Sequence, residues 1–154
     1  QTIVDGSIPK QVIGHATSYA MKLANTLDVV GLLAVEMFVT NDQEILVNEL
    51  APRPHNSGHW TMDACNYSQF NMHARAISGY TLPVLERSHN VVMQNFLGET
   101  AQRQFQQALG MQNAKPHWYG KTQAARGRKM AHVNHLFALN KPLYAQTGAI
   151  NLGI

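Results

Sequence analysis

The chain has 154 residues, a mass of 17.1 kDa, 45% hydrophobic and 14% charged residues and a formal net charge of +3. That composition excludes a disordered or collagen-like chain, and no apolar run is long enough to cross a bilayer, so a globular protein without membrane partners is expected. The charge is divided: residues 1–99 hold five Lys or Arg against nine Asp or Glu, a net of −4, and residues 100–154 hold seven cations and no acid, a net of +7.

In chain order, Ser7 is the expected N-cap of an amphipathic helix from Ile8 to Leu27, with Pro9 in its first turn and Val12, Ile13, Ala16, Ala20, Leu23 and Ala24 at helical spacing. The apolar run Val29 to Thr40 and the run Glu44 to Leu50, separated by Asn41-Asp42-Gln43, predict a β-hairpin. Its register carries a consequence. A two-residue loop (Asp42-Gln43) or a four-residue one (Asn41 to Glu44) makes opposed residue numbers sum to 85, so that Glu36 faces Glu49; a three-residue loop breaks that pairing. Ala51 to Trp60 reads as a polar loop, and Asp63 to Ser78 as a second helix, with Asp63, Tyr67, Phe70, Ala74 and Ile77 on one stripe and Gly79 as its stop. Tyr80 to Asn90 reads as a linker, Val91 to Phe96 as a strand and Glu99 to Leu109 as a short helix ended by Gly110. His117 to Lys121 and Lys129 to His135 read as strands flanking the polar loop Thr122 to Gly127. The fold class is α+β, an antiparallel sheet with helices over residues 1–87 followed by a small, mostly β, basic domain over 88–154.

Three constellations carry candidate chemistry. Glu36 is the one charge in the otherwise apolar or glycine stretch Val29 to Val39, and two facing carboxylates repel each other unless a cation neutralises them. Hard oxygen ligands of this kind, with the Asn48 amide beside them, suit Mg²⁺ and the phosphates it accompanies. A solvent face of an ordinary hairpin is the plain alternative. Arg53, His55, Asn56, Ser57 and His59 place a fork of donors in one loop, suited to a planar anion, or to no more than a hydrogen-bonded loop. Lys121, Arg126, Arg128 and Lys129 lie behind Trp118 and Tyr119, and would grip a phosphate monoester or, with the aromatics stacking, single-stranded nucleic acid; a solvated charge run, the commoner meaning of such a cluster, needs no function at all. There is no P-loop, Rossmann fingerprint or nucleophile elbow. The single Cys65 cannot close an intrachain disulfide, which fits a reducing, cytoplasmic setting.

The segment Asn48 to Trp60, NELAPRPHNSGHW, resembles the carboxylate-amine ligases of the ATP-grasp superfamily, and specifically the N5-carboxyaminoimidazole ribonucleotide synthetases. The resemblance continues through Ala34 to Val39, Ser68 to Gly79, Val91 to Gly98 and His117 to His132, with Ala131 standing where the family pattern has Gly. It implies the C-terminal lobe of an ATP-grasp fold, followed by the small β-rich domain, and a reaction in which ATP and bicarbonate form carboxyphosphate that carboxylates aminoimidazole ribonucleotide. By motif match it assigns Glu36 and Glu49 to Mg²⁺, and Asn48 and Glu49 to the nucleotide. Arg53, His55, Asn56 and Ser57 go to the bicarbonate and carboxyphosphate pocket, and Lys121 and Arg128 to the ribonucleotide phosphate. It further implies a homodimeric parent enzyme with no nucleic-acid partner, and a chain that starts at Gln1 as an incomplete piece, catalytically inactive alone. The competing expectation is a basic nucleic-acid-binding module centred on Trp118 to Lys129.

Overall fold

The structure, a computed structural model, describes residues 1–140 and Leu143; residues 141–142 and 144–154, part of the expected second domain, lie outside the described residues. The elements are β1 (Thr2–Val4), α1 (Lys10–Thr26), β2 (Ala34–Val39), β3 (Ile45–Ala51), α2 (Thr61–Ala64), α3 (Gln69–Ile77), β4 (Asn90–Leu97), α4 (Ala101–Leu109), β5 (Ala114–Trp118) and β6 (Lys129–Phe137). They form two compact units, one made of Gln1–Ser7, Trp60–Asn66 and Arg87–Ile154, the other of Ile8–His59 and Tyr67–Glu86. A single cut near residue 87 does not express this division, because β1 and the short α2 cross over to the unit that holds the basic half.

That first unit is an antiparallel sheet in the order β1-β4-β6-β5. The β4 and β6 runs alternate without a polar face because both faces are covered. Against one face α4 packs Ala101, Phe105 and Ala108 onto Phe96, Ala114, Met130, Ala131 and Val133. Fully burying side chains the size of Phe96 and Val133 contributes about 1.5–3 kcal/mol each. On the other face Ala64 and Trp60 cover Val91, Met93, Val4 and Leu136. The three-residue β1 was too short for its sequence to announce, and is held by pairing Ile3 with Val92.

The second face also buries a polar group. Asp63 Oδ2 accepts from Asn134 Nδ2 at 2.6 Å and lies 2.8 Å from His117 Nε2, and the His117 ring stacks on His132 with centroids 4.6 Å apart. Burial pushes Asp63 up, but the hydrogen bonds from His117 and Asn134, with the positive charge that His117 can carry, outweigh it and hold the carboxyl below its usual range. His135 lies on the α4 face and is 1% exposed; burial alone lowers its pKa.

In the second unit, α1 starts later than expected. Pro9 is its N-cap and makes no side-chain bond, while Ser7 donates its N–H to Asp5 Oδ1 instead. The strand expected from Val29 begins at Ala34, because Gly31 sits at φ 112°, where a Cβ would come within 2.7 Å of His73 Nδ1, and His73 Nδ1 accepts the Leu32 N–H. The expected helix from Asp63 to Ser78 is broken. Cys65 is extended and bridges to Arg87, and a new helix starts at Gln69 under a capping box in which Ser68 and Asn71 exchange bonds. Asp63 therefore leaves the expected stripe and joins the other unit. The α3 terminus is as read: Gly79 N–H bonds Ala76 O and Tyr80 N–H bonds Arg75 O, closing the last turn.

The pH dependence of the four-stranded unit follows from two depressed pKa values. His135 contributes stability that is complete above its unfolded value of about 6.5 and declines as pH falls below it; Asp63 contributes stability complete above about 3.9 and lost as pH falls through its lower folded value. Melting temperature followed by circular dichroism is expected to fall steadily from about pH 7 to about pH 3. Asp63→Asn should remove the lower part of that fall and leave the upper part; an unchanged acid slope would contradict this origin.

Candidate functional site

The β2–β3 hairpin brings Glu36 opposite Glu49, but not through the expected turn. Thr40 pairs with Glu44 across the three residues 41–43, with Gln43 N–H bonding Thr40 O at 3.0 Å, Thr40 N–H bonding Glu44 O at 2.9 Å and Gln43 in the left-handed region at φ 62°. Near the turn, opposed numbers therefore sum to 84, as in Val39 with Ile45 and Met37 with Val47. Between Met37 and Glu36 the register slips and Asn48 is left without an opposite residue, after which the sum is 85. This β-bulge restores the pairing that a three-residue loop alone would break. Without it Glu36 would face Asn48, and Glu49 would point to the other face of the ribbon.

The carboxylates are less buried than the apolar sequence around Glu36 suggests. The Glu36 side chain is 43% exposed and Glu49 is exposed, so the cost of the pair is chiefly mutual repulsion rather than desolvation. His55 Nε2 lies 3.6 Å from Glu36 Oε1, and ligand atoms of Glu36, Glu49 and His55 all fall within 4.8 Å of one another. These three side chains could hold a divalent cation. Two carboxylates suit Mg²⁺ or Mn²⁺, and the imidazole suits Mn²⁺ better than Mg²⁺.

Four of the expected loop residues lie on the segment that follows β3 and delivers His55 to the pair. Arg53 Nη1 donates to Pro54 O at 3.1 Å, leaving most of its fork available. His55 caps a 3-10 turn, Asn56–Gly58, with its Nδ1 2.8 Å from Ser57 Oγ. Nδ1 also accepts the Ser57 N–H at 3.4 Å, so the Ser57 hydroxyl donates to it or stands aside, and the proton of a neutral ring sits on Nε2 facing Glu36; Nε2 acts as a ligand when it gives up that proton. Asn56 Oδ1 is buried with no partner, a polar atom that an incoming donor would satisfy.

Sequence reading overlooked what holds this loop. Gln69, 8% exposed, accepts the His55 N–H at Oε1 (2.9 Å) and donates from Nε2 to His55 O (2.8 Å), and Nε2 lies 2.8 Å from His59 Nδ1. Gly58 permits the approach, since a Cβ there would come within 2.6 Å of Gln69 Oε1. A buried glutamine at the first position of a helix carries no signal of its own in a single sequence.

In the four-stranded unit, Lys121 and Arg128 lie on one loop between β5 and β6. Lys121 Nζ donates to Lys129 O at 2.7 Å and sits 5.4 Å from the Tyr119 ring centroid; Arg128 Nη1 donates to Gln123 O at 3.0 Å. The same loop is pinned by Gly98 N–H to Arg128 O and by Tyr119 N–H to Met130 O. Tyr119 also places its hydroxyl 2.9 Å from His132 Nδ1, and burial raises its pKa to about 12. Trp118 packs edge-on against Phe105.

Comparison with known proteins matches two successive stretches of the chain. Residues 1–70 match the ATP-grasp domain family and residues 91–141 the phosphoribosylaminoimidazole carboxylase C-terminal domain family. The chain is 44% identical over 136 residues to the N5-carboxyaminoimidazole ribonucleotide synthase of Bacillus subtilis, covering 88% of this chain and 36% of that protein. It is 43% identical over 138 residues to the synthase of Mycobacterium tuberculosis, covering 84% of this chain and 32% of that protein. A solved N5-carboxyaminoimidazole ribonucleotide synthetase with ADP superposes at a TM-score of 0.87 and 45% identity over 98% of this chain and 40% of the other. The Aspergillus clavatus synthase in complex with ADP and 5-aminoimidazole ribonucleotide superposes at 0.84 and 33% identity, over 96% of this chain and 40% of the other. The α+β reading and the ATP-grasp fold hold. The chain spans about a third of the length of the curated relatives it matches.

The opposed carboxylates generate a two-sided expectation for Glu49→Gln. In chelator, removing one of two facing like charges should raise stability by about 0.2–1 kcal/mol. With Mg²⁺ or Mn²⁺ at about 100 times its dissociation constant, the unsubstituted chain should gain about 2.7 kcal/mol and Glu49→Gln far less. Equal thermal shifts in both, followed by calorimetry, would exclude the pair as a cation site.

Proposed function

Because the chain belongs to the N5-carboxyaminoimidazole ribonucleotide synthase family, we propose that it supplies, within a longer enzyme, much of the site that makes N5-carboxyaminoimidazole ribonucleotide from aminoimidazole ribonucleotide, bicarbonate and ATP. The observation that carries this reading is the pairing of Glu36 with Glu49 beside the donor loop of Arg53, His55, Asn56 and Ser57. A bicarbonate oxygen attacks the γ-phosphorus of ATP, ADP leaves, and the exocyclic amine then attacks the carboxyl carbon of carboxyphosphate, expelling phosphate and losing a proton.

Each residue has a task matched to its chemistry. Glu36 and Glu49 would hold Mg²⁺, with Asn48 and Glu49 beside the nucleotide. When bound, the cation supplies neutralising charge for the phosphates. Arg53 offers parallel donors to a planar bicarbonate, and His55, Asn56 and Ser57 add short-range polar contacts that fix its orientation. Lys121 and Arg128, anchored through part of their donor set, would turn the remainder to the ribonucleotide's 5′-phosphate. The proposal takes residues 1–87 of the sequence as ATP-grasp lobe and 88–154 as C-terminal domain, although β1 and α2 pack in the unit that holds residues 88–140, and it includes a cytoplasmic setting and a homodimeric whole enzyme. Binding of nucleic acid is the weaker reading, because the Tyr119 hydroxyl is engaged by His132 and Lys121 Nζ lies over the Tyr119 ring, which leaves Trp118 as the one exposed aromatic of the two.

The test is a chimera in which this chain replaces the matching third of the Bacillus subtilis synthase. It should consume ATP in a bicarbonate- and ribonucleotide-dependent manner. Glu49→Gln should abolish turnover, whereas Lys121→Ala and Arg128→Ala should each raise KM for the ribonucleotide by about 10- to 100-fold, the loss of one charged hydrogen bond. Near-normal turnover of Glu49→Gln at saturating Mg²⁺, or unchanged KM in both cation variants, would refute the assignment.

A further inference from the structure

We propose that Gln69 is the positioning residue of the donor loop, and that it holds His59 as the neutral tautomer with its proton on Nε2. The inference rests on the reading of residues 53–59 as an anion-binding loop, and its first part follows from hydrogen-bond polarity alone.

An amide side chain has one acceptor and two donor hydrogens. The His55 N–H can only donate, so the Gln69 atom facing it at 2.9 Å must be Oε1, and the opposite orientation would set donor against donor. The orientation of the amide is therefore fixed by the backbone. Nε2 then faces His55 O at 2.8 Å and His59 Nδ1 at 2.8 Å, one hydrogen for each. His59 Nδ1 must accept. Protonating it would direct an N–H against the amide NH₂, so the ring is neutral and its proton sits on Nε2.

The device is rigid at its base. Gln69 is the first helical residue after Ser68, whose Oγ accepts the Asn71 N–H while Asn71 Oδ1 accepts the Ser68 N–H, and this locks the start of α3. His59 is further fixed by stacking on Phe70, with centroids 5.7 Å apart. Gln69 thus mimics a strand neighbour for His55, bonding both its N–H and its C=O, and so fixes the residue whose ring faces Glu36 and Ser57. Gly58 is part of the same device. Its backbone lies outside the left-handed region, so the obstacle to a side chain there is the Gln69 amide.

The tautomer is read on this chain with ¹⁵N-labelled histidine at neutral pH, without any assay of turnover. His59 Nδ1 is expected to show the shift of an unprotonated ring nitrogen. Gln69→Glu retains an acceptor for the His55 N–H but offers His59 only oxygen, so Nδ1 should become protonated; Gln69→Ala should leave a mixture of tautomers. Gly58→Ala should disturb the His59 signal in the unsubstituted chain and add nothing in the Gln69→Ala background. Should Gln69→Ala fail to fold, Gln69→Glu and Gly58→Ala still decide the question. A protonated Nδ1 in the unsubstituted chain, an unshifted Nδ1 in Gln69→Glu, or a Gly58→Ala effect of equal size in both backgrounds would overturn the proposal. In the chimera, Gln69→Ala should lower kcat/KM for bicarbonate by about 10- to 100-fold, as loss of an orienting partner does, with KM for the ribonucleotide within about twofold. An inactive unsubstituted chimera would count against the proposed function alone, since the tautomer decides the positioning role either way.

Discussion

Two carboxylates facing each other across a two-stranded ribbon are a standing electrostatic conflict, and the rest of the candidate site is arranged around it. Cross-strand neighbours of like charge destabilise a pair of strands, and an isolated ribbon has little stability to spare. Glu36 and Glu49 nevertheless oppose each other because Asn48 is bulged out, a local irregularity that shifts the register by one residue at the place where it aligns them. A bulge that creates a repulsive pair is accounted for under the proposed function, in which the pair holds a cation. A divalent cation would remove the repulsion, and His55, approaching Glu36 from the following loop, brings a third group that could help to hold one.

The loop that follows inherits this constraint. It leaves β3 after Ala51, two residues beyond Glu49, turns through Arg53 and Pro54, and brings His55 back towards Glu36. The 3-10 turn Asn56–Gly58 holds the far end of this return, and the backbone N–H and C=O of His55 are bonded by one buried side chain, the Gln69 amide, whose reach depends on the missing Cβ of Gly58. Charge, bulge, loop and clamp form one chain of dependence within the second unit. The first unit solves a separate problem, with a sheet covered on both faces and a loop whose cations are tied to their own carbonyls.

Much of this was legible in the sequence, and the exceptions have physical causes. The facing pair was read from an expected turn of two or four residues, yet the turn has three and the bulge cancels the difference; no residue-level pattern distinguishes these routes. The donor loop and the basic loop were visible because polar clusters punctuated by Pro and Gly resist any other reading. The helix over Asp63 to Ser78 was misread because its apolar spacing continues through Cys65 and Tyr67, while tertiary pairing of Cys65 with Arg87 breaks the backbone there. Asp63, His117 and Gln69 were missed for a related reason, since each acts through a partner at least ten residues away in sequence.

Crystals of the chain grown with Mn²⁺ and a nucleoside diphosphate, measured at the manganese absorption edge, address the conflict between Glu36 and Glu49 most directly. An anomalous peak between the two carboxylates, absent from crystals of Glu49→Gln, is the predicted result. Manganese bound elsewhere, with Glu36 and Glu49 still facing each other and unbridged, would contradict it.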